Sequence, residues 1–315
     1  MERTLVAFTT LLLSAGAAHA SHPHQTLRTS GSGLVATHQF VGTASPTTGR
    51  VFARQVLPAS ATGAPIARTG TRVVYLNRDG AVLWPGDAND APNQTSTIVS
   101  QPTSIGAWDI DDDTWAETVA CVRDIYRPFD VTITDEDPGD APHMEAIFGG
   151  HPNDVGLPDN VAGVSPFTTD CAMIEDSIVF TFTDVMPDNA RTMCEVMAQE
   201  IAHSYGLDHE MLASDPMTYL DYAGERTFQN VEAPCGETGN RLCGINGNMC
   251  RQKQNSVALL TQRLGAAGGS TPPDPQSEPR ESSIEGVGCS ATGGGSSLVL
   301  GLAALAAFRR RRSRA

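Results

Sequence analysis

The residues of this sequence best suited to chemistry stand between Gln199 and Tyr219: Gln199, Glu200, His203, His209, Met217 and Tyr219. If the stretch begins as a helix, positions 199 and 203 lie one turn apart and their side chains reach one point. Glu200 then lies within ~100° of both around the helix axis and can hold a water there. Gly206 lets the helix break in a left-handed conformation, and the chain can swing His209 back toward His203. Two imidazoles and a third donor converging on one point make a metal-ligand set. Zinc held by three protein ligands keeps a fourth position for water, whose pKa falls toward ~7. In such a site Glu200 would take the water proton as general base and pass it to a leaving amine. Singly, each residue has an ordinary reading: His203 as a core or surface histidine, Glu200 as a solvated helix residue, Met217 and Tyr219 as packing. Their joint spacing carries the inference.

The run Gln199-Glu200-Ile201-Ala202-His203-Ser204-Tyr205-Gly206-Leu207-Asp208-His209 resembles the metzincin pattern H-E-x-x-H-x-x-G-x-x-H, and Asp215-Pro216-Met217-Thr218-Tyr219 resembles the Met-turn that follows it. The spacing is similar to that of the matrixin branch, the Met-x-Tyr pair to that of astacins and serralysins. The resemblance extends over roughly residues 70–225 and is specific only across 199–219. It implies an α+β metzincin-like catalytic domain: a mixed twisted sheet, an active-site helix and a loop-rich C-terminal subdomain. It also implies Zn2+ as cofactor, Met217 as an apolar floor, and Tyr219 as oxyanion stabiliser or ligand of the resting metal. A peptide or protein substrate would lie along an edge strand, with Ala162–Pro166 as the opposing wall. The first ligand position departs from the pattern, because it holds Gln199. An amide oxygen is a neutral donor and a poorer zinc ligand than imidazole. Three readings stay open: Gln199 ligates weakly, two histidines plus another group such as His143 or His151 hold the metal, or the site is dead. The alternative to a zinc endopeptidase is therefore a catalytically weakened or inactive metzincin-fold binding or adhesion protein.

The elements that must position these residues follow from pattern. Val73–Leu76 reads as a strand ended by the turn cluster Asn77–Gly80. Trp115, Val119, Val122 and Tyr126 mark one face of a helix, with Asp113 or Thr114 as N-cap and Pro128 as the stop. Val131–Thr134 and Met144–Phe148 read as further strands, and Ile178–Thr183 as the clearest alternation. A helix is expected from Asp188 or Asn189 to about Tyr205. The acidic run Asp109–Asp113 lacks the glycine and glutamate of a calcium loop, so it reads as a helix start, which also leaves a calcium-dependent structural role resting only on scattered aspartates.

The two ends read as addresses. Arg3, the apolar Leu5–Leu13 and Ala18-His19-Ala20 make residues 1–20 a secretory signal peptide. Residues 21–69 read as a leader or propeptide-like arm without cysteine, 70–265 as the catalytic domain and 266–288 as a Pro/Ser/Gly-rich linker. Residues 289–315, with Cys289, the apolar Leu298–Phe308 and Arg309–Arg312, resemble the myxobacterial C-terminal sorting tail. That resemblance implies membrane contact before processing, sorting machinery as partner, and display at the cell surface or outer membrane of a myxobacterium-like bacterium. The apolar segment is short for a transmembrane tail. The chain's net charge is −15, but five arginines and no acid fall in the tail; residues 21–288 carry 15 basic and 35 acidic residues, a net of −20. That balance argues against a nucleic-acid partner. Six further cysteines fit a secreted chain with disulfide bonds; pairing Cys171 with Cys194 is expected, and Cys235–Cys250 reads as a small stapled region.

Overall fold

The computed structural model describes residues 39–45, 47–59, 70–245 and 247–269. The signal segment, Cys289 and the tail lie outside them. Among the described residues no helix is long and apolar enough to cross a membrane.

The fold is mixed α+β, with three α-helices among the described residues. A short β1 (Phe40–Val41) and β2 (Val51–Leu57) precede β3 (Arg72–Asn77). A small sheet follows from β4 (Ala81–Pro85), β5 (Thr95–Ser96) and β6 (Thr103–Ile105). Then come α1 (Asp112–Tyr126), β7 (Val131–Thr134), β8 (Met144–Phe148), β9 (Val161–Thr168), β10 (Ile178–Thr181) and α2 (Ala190–Ser204). The C-terminal part pairs β11 (Ala233–Pro234) with β14 (Lys253–Gln254) and β12 (Cys243–Ile245) with β13 (Asn248–Arg251), and ends in α3 (Ser256–Leu264).

The main sheet has the order β1-β2-β9-β10-β8-β3-β7. β10, β8, β3 and β7 run parallel, β9 runs against β10, and β2 runs parallel to β9. One apolar layer joins the sheet to α1 and α2 through Val119, Val122, Phe148, Met197 and Ile201; a second, with Leu83, Ile147, Val164 and Phe180, covers the other face. With both faces covered, β8, β9 and β10 are buried at every position, and alternation along them does not mark an exposed side.

Two sequence expectations need correction here. The arm does not stay apart from the ordered domain, because Val51–Leu57 is a full strand of the main sheet. The expected Cys171–Cys194 pair does not form. Packing of α1 on α2 brings Cys121 to Cys194 (Cα–Cα 5.9 Å), while Cys171, just beyond β9, meets Cys250 on β13 and Cys235 closes on Cys243. The N-cap of α1 is Asp111, whose carboxylate accepts from Thr114 N at 2.9 Å. The acidic run therefore does start a helix, two residues earlier than expected.

The Cys121–Cys194 bridge closes a 73-residue separation between the two helices that flank the core. Replacing both cysteines by alanine is expected to cost about 3–4 kcal/mol, mostly through the entropy of the unfolded chain, as read by denaturant unfolding.

Candidate metal centre

Helix α2 is set at its start by Asn189, whose side chain accepts from Thr192 N at 2.9 Å, and at its end by Gly206. Gly206 has φ +77°, its N–H bonds to His203 O at 2.7 Å, and Leu207 N bonds to Ala202 O at 3.0 Å. This is the Schellman closure expected of a helix that must stop and turn back. A Cβ on Gly206 would lie 2.3 Å from Cys171 O, so glycine is required for space as well as for conformation.

The turn brings His209 onto His203. Their Nε2 atoms stand 2.9 Å apart and both side chains are fully buried. His203 Nδ1 lies 2.7 Å from Leu207 O, and His209 Nδ1 lies 3.0 Å from Glu237 Oε1. A carbonyl and a carboxylate can only accept, so both Nδ1 atoms carry the proton and both neutral rings aim an Nε2 lone pair at the same point. Burial, with His209 and Arg54 for His203 and with Arg54 for His209, lowers the pKa of each ring. A cation held between them would relieve the opposition.

Other expected site residues gather here. Glu200 is fully buried; its Oε2 accepts from Ser165 Oγ of β9 at 2.9 Å, and its Oε1 has no partner. Burial pushes its pKa well above the usual carboxylate range. Gly163 of β9 leaves the room, since a Cβ there would lie 2.6 Å from Glu200 Oε1. Gln199 is buried, with its amide nitrogen unpartnered. The Tyr219 ring lies 4.6 Å from that of His209, and its hydroxyl accepts from Phe52 N at 2.9 Å and donates to Phe52 O at 3.1 Å. Met217 is fully buried, and its carbonyl accepts from Glu210 N at 2.6 Å, tying the turn to the residue after His209. His143 and His151 are engaged elsewhere: His143 packs on Tyr75 of β3, and His151 caps the turn Pro152–Val155.

Asp208, Glu237, Arg54 and Arg241, to which the sequence reading gave no role, complete the site. Asp208, His209 and Glu237 form a group that could hold a metal ion. Its carboxylates, however, are already matched by arginines. Arg54 of β2 bonds to Asp208 and, at 3.1 Å, to Glu237. Arg241 bonds to both as well. Burial raises the Asp208 carboxyl, but Arg54 and Arg241 more than reverse this and hold it well below the ordinary range; His209 and Arg241 do the same for Glu237 against its own burial. The free lone pairs are on the Nε2 side, which makes Glu237 the group that orients His209 rather than a ligand. No local signal marked Glu237 or Arg54: one follows His209 by 28 residues in a cysteine-closed loop, and the other sits in the arm.

Because the native pKa of Asp208 is depressed, its contribution to stability is complete above the unfolded value near ~3.9 and is lost as pH falls below it. Asp208→Asn is expected to cost about 3–5 kcal/mol at pH 7, by leaving the buried Arg54 and the partly exposed Arg241 short of a partner, and to flatten the loss of Tm below pH ~4. A pH series of thermal melts on both proteins checks this. Set against known proteins, the chain matches no family model and no curated relative, so its own geometry must carry any functional reading.

Proposed function

We propose that the chain is a secreted, surface-displayed zinc-dependent endopeptidase with a metzincin-like catalytic domain. One observation carries the reading: two buried imidazoles whose unprotonated Nε2 atoms oppose each other at 2.9 Å, with Glu200 on the same helix. His203 and His209 would hold the ion, joined by Gln199 one turn before His203. Zinc, when bound there, supplies Lewis acidity to water and to the substrate carbonyl. Glu200 takes the proton of the attacking water as its oxygen bonds to the carbonyl carbon, and returns that proton to the amine nitrogen as the C–N bond breaks. The desolvated position of its Oε1 suits a base of raised pKa. Tyr219 Oη donates to the oxygen on which negative charge develops once Phe52 O no longer takes that proton. Ser165 holds Glu200 in place through Oε2.

The three disulfides fit a chain made for an oxidising compartment. The signal-like and tail segments support export, contact with a membrane through the tail and handling by sorting machinery. A second reading, a weakened or inactive metzincin-fold binding or adhesion protein, is favoured by the unpartnered neutral amide of Gln199 at the third donor position.

The endopeptidase reading expects about one zinc per chain, with chelation removing both metal and peptide hydrolysis. Glu200→Ala is expected to keep the zinc and lose hydrolysis by at least about a hundredfold; hydrolysis untouched by that change would sink the mechanism. Gln199→His is expected to tighten zinc and raise the rate. A chain without zinc or hydrolysis in either form is the binding protein instead. Gly163→Ala tests the position of Glu200 more gently: the added methyl displaces the carboxylate, and kcat is expected to fall by roughly tenfold with metal content unchanged.

A further inference from the structure

On the endopeptidase reading an extended peptide would lie along β9, and the strand β2 already pairs there. It pairs with β9 from Val51↔Val161 to Leu57↔Thr168, and β9 is the strand whose Gly163 and Ser165 touch Glu200. The backbone of Phe52 takes both hydrogen bonds of the Tyr219 hydroxyl, and the Phe52 ring packs on that of Tyr219 at 5.1 Å. Two residues on, Arg54 passes over the Phe167 ring at 5.3 Å and ends between Asp208 and Glu237, its side chain 3% exposed. Within the main sheet, only β9 links β1 and β2 to the strands that follow, so the pair forms one end of the sheet.

The charges around this arginine balance in a way that marks a pocket. Asp208 and Glu237 face two guanidiniums, one from Arg54 in the arm and one from Arg241 in the same loop as Glu237. Arg241 and the carboxylates belong to the C-terminal half and stay together. If β2 leaves, the buried group is left one negative charge in excess and open to another cationic side chain. Removing one partner of such a cluster is costly, so the vacancy has a strong preference for what refills it.

We propose that Asp208 and Glu237 form a guanidinium pocket beside β9, filled here by Arg54 of β2, and that this pocket selects a basic side chain in a peptide that takes the place of residues 51–57 on β9. The proposal rests on the endopeptidase reading for its purpose, but its test reads binding rather than hydrolysis. In the Glu200→Ala full chain nothing is cut. Arg54→Asp in that background places a third carboxylate beside the pair and is expected to expel β2. The amides of residues 52–57 should then exchange faster with deuterium. A labelled peptide copying residues 49–58 should bind this variant and not its parent. Its affinity should exceed that of the copy with alanine at position 54 by at least about tenfold, the size expected when a buried charge regains its partner.

Unchanged exchange in Arg54→Asp, no peptide binding, or equal binding of the two peptides would each overturn the proposal. If Arg54→Asp does not fold, Arg54→Ala serves: methylguanidinium should raise its Tm where methylammonium at the same concentration does not. Equal effects of the two cations, or none from either, overturn it too. Loss of zinc or of hydrolysis in the unsubstituted chain would count against the endopeptidase reading alone and leave this binding result standing.

Discussion

Two neutral imidazoles aiming lone pairs at each other across 2.9 Å repel unless a positive charge lies between them. Much of the surrounding structure serves to enforce that opposition. The Leu207 carbonyl can face His203 only because the helix ends at Gly206 and the next residue folds back beneath it. Glu237 can face His209 only because the Cys235–Cys243 bridge closes its loop and Arg241 holds its other oxygen. Both constraints act on Nδ1 and both leave Nε2 free. Remove either acceptor and a ring could turn or change tautomer, and the opposition would vanish.

Asp208 links this pair to the rest of the C-terminal part. Its carboxylate accepts from the backbone of His209 and Gly244 as well as from the two arginines, and its own backbone is gripped on both sides by the Gln254 amide. The carboxylate is thus ionised in a place where burial alone would have neutralised it, because four donors replace the water it lost. Through these bonds His209, the β12–β13 hairpin and the arm share one electrostatic anchor.

The legible part of this protein was the part built from local rules. The spacing from Glu200 to Tyr219, the cap at Asn189 and the break at Gly206 are all set by residues close to each other in the chain, and His203, His209 and Tyr219 stand side by side in the structure. The strands β3, β7, β8 and β10 were readable from their β-branched composition. β9 was not, because Gly163, Ser165 and Pro166 weaken a strand pattern that tertiary pairing overrides. The arm was misjudged for the same reason. Val51–Leu57 carries Arg54 and Gln55 at positions that look solvent-facing in isolation, yet both are buried, Arg54 against Asp208 and Gln55 against Thr97. A polar residue whose partner is over a hundred residues away, as with Arg54, gives no sign of burial in the sequence. The cysteine pairing failed on the same ground, since packing of α1 on α2, not distance along the chain, chose Cys121 for Cys194.

Glu237 joins the ring of the histidine that would bind metal to the arginine that seats the arm, with His209 Nδ1 and Arg54 Nη2 both on Oε1. An anionic acceptor on Nδ1 makes His209 a better donor at Nε2, whereas a guanidinium on the same oxygen drains that effect. The cation of Arg54 also acts directly against the charge of any metal at the two rings, as it does against their protonation. Arg54 of the arm and His209 of the histidine pair are therefore coupled through one oxygen, so the seat of β2 and the orientation of that ring depend on each other.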